Sequence, residues 1–244
     1  LLAAIYLAAG RHRLPTKSEF KSLIIVALGV VVGFPILTAL AMRYVDASHG
    51  GIMLGILPLA TAAAGFVFSR ERPSVGFWAM ALLGSALVVM FSLLKGGGSL
   101  HLADLALLAA VASASIGYAV GARLTRSLGG LQVISWALII SAPFLIVPAI
   151  LYAPNTVHLP LSAWLGFVYV SLVSQFLGFL PWYRGLALGG IARVGQTQLL
   201  QPFFTIAAAS LLLSEAVDEV TMAFAIVVFA VVAIGRRLNI AHKS

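Results

Sequence analysis

The sequence has no cysteine and very little charge. None of its 244 residues is cysteine, and only 9% are Asp, Glu, Lys or Arg, against about 25% in a soluble domain. Without cysteine there is no disulfide framework and no thiolate metal or redox site. The scarcity of charge, together with 61% hydrophobic residues, excludes a soluble globular domain and indicates an integral membrane protein.

Apolar runs of about 20 residues recur along the whole chain, separated by short clusters of Gly, Pro, Ser and charge. Because a bilayer requires every backbone polar group to be satisfied internally, these runs predict membrane-embedded helices. We expect an all-α polytopic protein with a partial span at the start and eight full spans at about 20–45, 50–69, 75–94, 102–122, 130–152, 162–183, 193–213 and 218–235.

The basic residues are distributed asymmetrically between the predicted loops. If the C-terminus is cytoplasmic, thirteen of the fifteen Lys and Arg lie on the cytoplasmic side, and only Arg43 and Lys95 lie outside. The net charge of +8 therefore predicts orientation in the membrane and no nucleic-acid partner. We expect a multi-pass protein of the bacterial inner (plasma) membrane with a cytoplasmic C-terminus.

The chain contains an internal repeat at an offset of 144 residues. Pro58 pairs with Pro202, and Glu71 pairs with Glu215, so that each half has a mid-span proline followed by a glutamate. The two proline-containing spans are expected to cross the membrane in opposite directions, which makes the repeat inverted, as in many transporters. The predicted boundaries are 1–98 for the N-terminal repeat and 99–244 for the C-terminal repeat.

Extending the offset backwards places the counterparts of two C-terminal spans largely before residue 1. The span at about 130–152 retains a partner only in residues 1–9, and the span at about 102–122 has none. We therefore expect a ten-span, five-plus-five inverted repeat that here lacks the first span and part of the second. Spans 2 to 5 then belong to the first repeat and spans 6 to 10 to the second.

These features resemble the EamA-type transporters of the drug/metabolite transporter superfamily. The resemblance rests on the ten-span inverted repeat, on the recurring proline and glutamate, and on the small-residue closing spans that end in GRR. It implies a helical bundle around a central cavity. It further implies that small metabolites such as amino acids move outward by alternating access, often without an obvious coupling ion.

The stretch QTQLLQPFF, residues 196–204, places amides inside an apolar span. A helix puts Gln198 and Gln201 on one face, with Val194, Thr205 and Ala208. Each amide facing lipid would cost roughly 2 to 7 kcal/mol, so this face should contact protein or water. Pro202 is expected to leave the carbonyl of Gln198 without its helical partner. The alternative is that the amides form interhelical hydrogen bonds, the role we favour for Gln196.

Polar residues also follow helical spacing in other C-terminal spans. One stripe combines serine, glutamine, glycine and tryptophan, and others pair tyrosine with serine or tryptophan with Gln132. These groups carry no charge, which suits a neutral or zwitterionic solute with an apolar or aromatic side chain. The predicted substrate-binding residues are Gln198, Gln201, Gln175, Trp136, Tyr118, Ser171 and Trp182.

No carboxylate, lysine or histidine can be placed firmly at the bilayer centre, which disfavours proton coupling. Glu71 and Glu215 are expected to cap or brace the turn into the next span. The other acidic residues of the outer side are expected to be solvated loop charges: Asp46, Asp104, Asp218 and Glu219.

An intramembrane enzyme would need a catalytic constellation, and the chain has no HExxH motif and no paired mid-span aspartates. We therefore expect no catalytic residues, no cofactor and no metal site. The expected partners are a small-molecule substrate and the lipid bilayer. A non-transporting membrane scaffold or sensor is the alternative, although a scaffold has no need to gather glutamine and tryptophan faces from several spans.

Overall fold

The computed structural model describes residues 1–10, 12–45, 53–96, 102–151, 160–213, 217–238 and 240–242. These residues form nine helices and one short pair of strands. The helices are α1 (Leu2–Ala9), α2 (Lys17–Ala41), α3 (Leu57–Ser69), α4 (Val75–Gly96), α5 (Ala103–Leu128), α6 (Gly130–Leu151), α7 (Leu161–Gly189), α8 and α9 (Glu219–Arg237). Helix α8 consists of three consecutive segments, Ile191–Gly195, Gln196–Leu200 and Gln201–Leu213. Strands β1 (Glu71–Pro73) and β2 (Ile240–His242) pair antiparallel.

The eight predicted full spans fall on helices α2 to α9, and the partial span falls on α1. Within the described residues, five of these helices are long and apolar enough to cross a membrane: α2, α5, α6, α7 and α9. Helix α3 and the Val75–Phe91 part of α4 are apolar but shorter. The mainly helical, multi-pass architecture predicted from the apolar runs is therefore confirmed.

Two of the long helices contain a π-helical segment, which the sequence pattern did not predict. The π segment of α2 is Ala27–Gly33 and that of α7 is Val170–Leu177. The middle segment of α8, Gln196–Leu200, is a 3₁₀ helix instead. Such wide or tight turns inside α-helices often mark functional regions, because they change the side-chain stripe that a regular helix would present.

Helix boundaries recur at the same offset as the sequence repeat. Helices α2, α3 and α4 begin at residues 17, 57 and 75; adding 144 gives 161, 201 and 219, where α7, the last segment of α8 and α9 begin. The π segment of α2, shifted by the same 144 residues, covers 171–177 and coincides with that of α7 to within one residue. The two sets of helices thus share local conformation as well as sequence spacing.

Helix α5 is the centre of the core and packs against α2, α3, α6 and α7. Small residues allow its closest crossing, with α2: a Cβ added to Gly29 would lie 2.9 Å from the Cα of Gly117 and 2.7 Å from the carbonyl oxygen of Ser113. The Ser113 hydroxyl donates a hydrogen bond of 3.0 Å to the carbonyl of Gly29. The π segment of α2 therefore has a side-chain partner on α5.

The start of α2 is fixed by a network of charge and hydroxyl groups. Thr16 and Glu19 form a capping box, and Arg13 donates to both carboxylate oxygens of Glu19, at 2.6 and 2.8 Å. The hydroxyl of Ser127, next to the end of α5, donates to the same carboxylate at 2.9 Å. This network provides hydrogen-bond acceptors for the orphan N–H groups at the start of α2, and it links α2 to α5.

Several expectations about individual residues need correction. Pro58 is the second residue of α3 and not a mid-span residue, so it occupies a first-turn position that needs no N–H donor. Asp104 is not a solvated loop charge, because it lies in the first turn of α5 and is only 5% exposed. Asp218 caps α9 by accepting a hydrogen bond of 2.9 Å from the Thr221 N–H. Asp46 and Glu215 lie outside the described residues.

The α2–α5 crossing predicts a site-specific sensitivity to added volume. The Gly29→Ala change should destabilise the protein by about 1 to 3 kcal/mol, because its methyl group would overlap the α5 backbone. The matched control is Gly166→Ala on α7, where an added Cβ has nothing within 4 Å. Thermal unfolding of the purified proteins in detergent would compare them, and equal midpoints for the two variants would contradict the close crossing.

Candidate functional site

Two of the predicted substrate-binding residues, Tyr118 on α5 and Trp182 on α7, lie in one aromatic cluster with Phe179 of α7. The rings of Tyr118 and Trp182 meet edge to face with their centroids 5.4 Å apart, and Phe179 lies 6.4 Å from Tyr118. Trp136 packs against the same core of buried residues. Edge-to-face geometry is the arrangement that aromatic quadrupoles favour.

Several polar atoms on α6, α7 and α8 are buried without a hydrogen-bond partner in the described part of the chain. They include the indole N–H groups of Trp136 and Trp182 and the side-chain oxygens of Gln132 and Gln198. A buried indole N–H usually finds a partner, and each bond left unmade costs about 1 to 3 kcal/mol. These four side chains thus offer two donors and two acceptors that a bound polar molecule could satisfy.

The first segment of α8 packs against α7. Val194 lies in a glycine-lined notch on α7, where a Cβ on Gly189 would lie 2.6 Å from its Cγ2 and one on Gly185 would lie 3.6 Å from its Cγ1. Gln198 is one turn further along α8, in the 3₁₀ segment that packs against α3, α4 and α9.

The remaining predicted site residues are less closely grouped. Ser171 and Gln175 are half-buried in the π segment of α7, which interrupts the α-helical stripe on which they were expected to align with Trp182. Gln201 is exposed at the start of the last segment of α8. The structure thus brings Tyr118 and Trp182 into contact, and it places Gln198 and Gln201 in consecutive segments of α8.

The prediction that Pro202 leaves the Gln198 carbonyl without a partner is wrong. The 3₁₀ segment of α8 ends with a hydrogen bond from the Gln201 N–H to that carbonyl. A 3₁₀ turn joins residues three apart instead of four. The Gln198 carbonyl therefore accepts from Gln201 and does not need the N–H that Pro202 lacks. The side chain of Gln198, and not its backbone carbonyl, is the group available to a ligand.

Gln196 is more deeply buried than its sequence position suggested. It is 0% exposed, both polar atoms of its amide lack a partner among the described residues, and it packs against Gly235 of α9. Among the described residues, the buried hydroxyls of Thr61 and Ser85 also lack partners. The interhelical hydrogen bonds expected for Gln196 are therefore not formed with any described residue, and no sequence signal indicated its degree of burial.

Glu71 connects the two halves of the chain. Its carboxylate oxygens accept hydrogen bonds from the N–H groups of Ile191 and Ala192, at 2.6 and 2.8 Å. Glu71 therefore caps a helix, as expected, but the capped helix is α8 and not the span that follows Glu71 in the chain. No sequence signal indicated this partner, because the two segments lie about 120 residues apart.

No group of three or more His, Cys, Asp or Glu side chains that could hold a metal ion occurs among the residues the structure describes. The candidate site consists of neutral polar and aromatic groups. Its chemistry is that of binding, through indole donors, amide acceptors and ring faces.

Comparison with known proteins gives three findings. Residues 1–93 and 101–235 match the profile of the "EamA-like transporter family". The chain is similar to the "Uncharacterized transporter YdeK" of Bacillus subtilis (strain 168), with 46% identity over 238 residues that cover 97% of this chain and 83% of that protein. It also superposes on a protein of known crystal structure with a TM-score of 0.77 and 19% identity, covering 96% of this chain and 82% of the other, a likeness of fold alone.

The buried amide of Gln196 predicts a gain in stability on substitution. Gln196→Met keeps a similar volume and removes two polar atoms that lack partners, so it should stabilise the protein by about 1 to 3 kcal/mol. Gln201→Met, at the exposed glutamine of the same helix, is the control and should change stability less. Thermal unfolding in detergent measures both, and a loss of stability in Gln196→Met would show that the amide is satisfied in the folded protein.

Proposed function

Because this chain belongs to the EamA-like transporter family, we propose that it carries a small neutral or zwitterionic, amino-acid-like metabolite across the bacterial inner membrane. The proposed direction is export, and the proposed mechanism is alternating access around a central cavity. The aromatic cluster and Gln198 form the central part of the proposed binding site, with Ser171, Gln175 and Gln201 on adjoining surfaces of α7 and α8.

The observation that carries this proposal is a set of buried polar atoms on α6, α7 and α8 that have no partner among the described residues. They comprise two indole N–H donors and two amide oxygens, none of these groups is charged, and one of the indoles meets the Tyr118 ring. A protein with only a scaffolding role would gain stability by pairing or removing them. A transporter must keep such groups available, because the substrate has to exchange its hydrogen bonds with water for bonds inside the membrane.

The arrangement favours a particular substrate chemistry. Indole N–H groups can donate to a carboxylate or carbonyl oxygen, and amide oxygens can accept from an ammonium or amide group. A solute with a net charge would enter a site without a counter-charge, which is costly in a low-dielectric region. A zwitterion or neutral amide whose side chain stacks on the rings of Tyr118 and Trp182 satisfies all of these groups.

The recurrence of helix boundaries at 144 residues supports alternating access. Helices α2, α3 and α4 correspond to α7, the last segment of α8 and α9. The asymmetry of Lys and Arg supports opposite orientations for the two sets, with the C-terminus in the cytoplasm. We propose that residues 1–98 and 99–244 form an inverted repeat, whose halves exchange conformations to open the site to one side and then to the other.

A transport assay with paired tryptophan variants tests the site. The chain is reconstituted into vesicles, and movement of a panel of radiolabelled amino acids is measured for wild-type protein, Trp182→Phe and Trp164→Phe. Trp182→Phe keeps an aromatic ring and removes the unpartnered N–H, so transport of the preferred solute should fall about tenfold. Trp164→Phe, at an exposed tryptophan in the first turn of α7, should leave transport unchanged.

Gln198→Leu should lower transport to a similar degree, because it removes an acceptor while keeping the helix and its packing. Movement of no amino acid above the rate in empty vesicles would contradict the proposed substrate class. Equal rates for Trp182→Phe, Gln198→Leu and wild-type protein would contradict the proposed site while leaving the transport activity in place.

A further inference from the structure

We propose that Glu71 is a positioning residue for Gln198, acting through the cap that it forms on helix α8. The inference rests on the proposed function, because Gln198 is treated as part of the substrate site. It assigns to Glu71, in the first half of the chain, control over a binding residue in the second half. Three features of the structure support it: the hydrogen bonds at Glu71, the space made for its carboxylate, and the packing of α8.

The first segment of α8 has no cap of its own. Its N-cap position is Gly190, which has no side chain, so the N–H groups at the start of the helix need a partner from elsewhere. The carboxylate of Glu71 supplies it with one oxygen for each of two successive N–H groups. A carboxylate at a helix N-terminus also gains from the helix dipole, and this one is only 1% exposed.

Two glycines make room for this carboxylate. A Cβ on Gly65 of α3 would lie 2.9 Å from Oε2 of Glu71, and one on Gly190 would lie 3.4 Å from Oε1. Gly190 also adopts a φ of +87°, a backbone conformation that other residues rarely adopt. The carboxylate therefore occupies a position that both α3 and the turn before α8 are shaped to receive.

The position of Glu71 is itself fixed by its neighbours in the chain. Arg70 ends α3 in the left-handed conformation, with a φ of +55°, and Glu71 begins strand β1, where it pairs with His242 of β2. Arg70 and Arg72 are exposed, whereas Glu71 between them is buried. The turn thus directs the carboxylate inward and holds it against the start of α8.

Helix α8 transmits this position to Gln198. The cap holds Ile191 and Ala192, which are buried, and Gly195 packs so closely on α3 that an added Cβ would lie 2.8 Å from Thr61. Gln198 follows within two turns of the cap. A shift of the capped end would therefore displace the Gln198 side chain relative to Trp182.

Cysteine labelling tests this inference, because the natural chain contains no cysteine. Single thiols are introduced by Gln198→Cys and, as a control on α7, by Ser171→Cys. The labelling rate of each by N-ethylmaleimide is measured in the full chain, without any solute, with Glu71 present and with Glu71→Gln. The amide of glutamine keeps one acceptor oxygen and turns an NH₂ donor towards the other N–H, so α8 should be held less firmly.

Glu71→Gln should raise the labelling rate at position 198 about fivefold, because this is the change in population that follows from the loss of one helix cap. The labelling rate at position 171 should change by less than about twofold. Equal acceleration at both positions would show general loosening of the bundle, and no change at position 198 would show that the cap does not position it. Either result overturns the inference. Transport by wild-type protein is measured separately, so failure here is distinguishable from failure of the proposed function.

A second variant keeps the test decisive if Glu71→Gln does not fold. Gly65→Ala retains the carboxylate but places a methyl group 2.9 Å from Oε2 and 3.1 Å from the Ile191 side chain, so it should displace the capped end of α8 without removing the charge. In this variant the labelling rate at position 198 should again rise more than the rate at position 171, but by a smaller factor. Its absence in a folded Gly65→Ala protein would count against the inference.

Discussion

The constraint that organises this protein is the need to satisfy polar groups where water is scarce. Only 9% of the residues are charged, so few charged side chains can satisfy backbone polar groups. Several of these side chains, together with serine hydroxyls, make hydrogen bonds at helix ends and irregular turns. Ser113 donates to the π segment of α2, Arg123 to the carbonyl of Phe68 near the end of α3, and Arg193 to the carbonyl of Leu238 after α9. Glu71 serves the two N–H groups at the start of α8. The polar residues thus connect helices that apolar contacts alone would leave free to slide.

Against this background, the polar atoms without partners in the described residues are informative because of where they lie. Two sets of them can be compared. One comprises the indole N–H groups of Trp136 and Trp182 with the amide oxygens of Gln132 and Gln198, and the other is the amide of Gln196, which packs against α9. The first group has aromatic faces and both donors and acceptors beside it, whereas Gln196 is enclosed by closely packed helices. The same chemical feature therefore has a different meaning at the two locations, and only the first resembles a site for a solute.

The sequence predicted the helices well because their signal is local. An apolar run of about 20 residues between basic or glycine-containing turns is sufficient to locate a span, and the offset of 144 was visible in Pro58 and Pro202. Helical spacing placed Tyr118 and Trp182 on polar stripes of two different spans, and their contact with each other depends on the crossing of α5 and α7. The partner of Glu71 could not be predicted, because it depends on the packing of segments about 120 residues apart. The π and 3₁₀ segments were missed since their residues are ordinary helix formers, and they altered the stripes expected for Ser171 and Gln198.

The π segments of α2 and α7 bear on how these two helices can bend. A π turn is wider than an α turn, and such irregular turns are among the few places where a long helix kinks sharply. The two segments lie 144 residues apart to within one residue, although their sequences there, ALGVVVG and VSLVSQFL, have little in common. The wide turn therefore does not depend on one particular set of side chains, and α2 and α7 each carry a built-in joint at the corresponding point of their length.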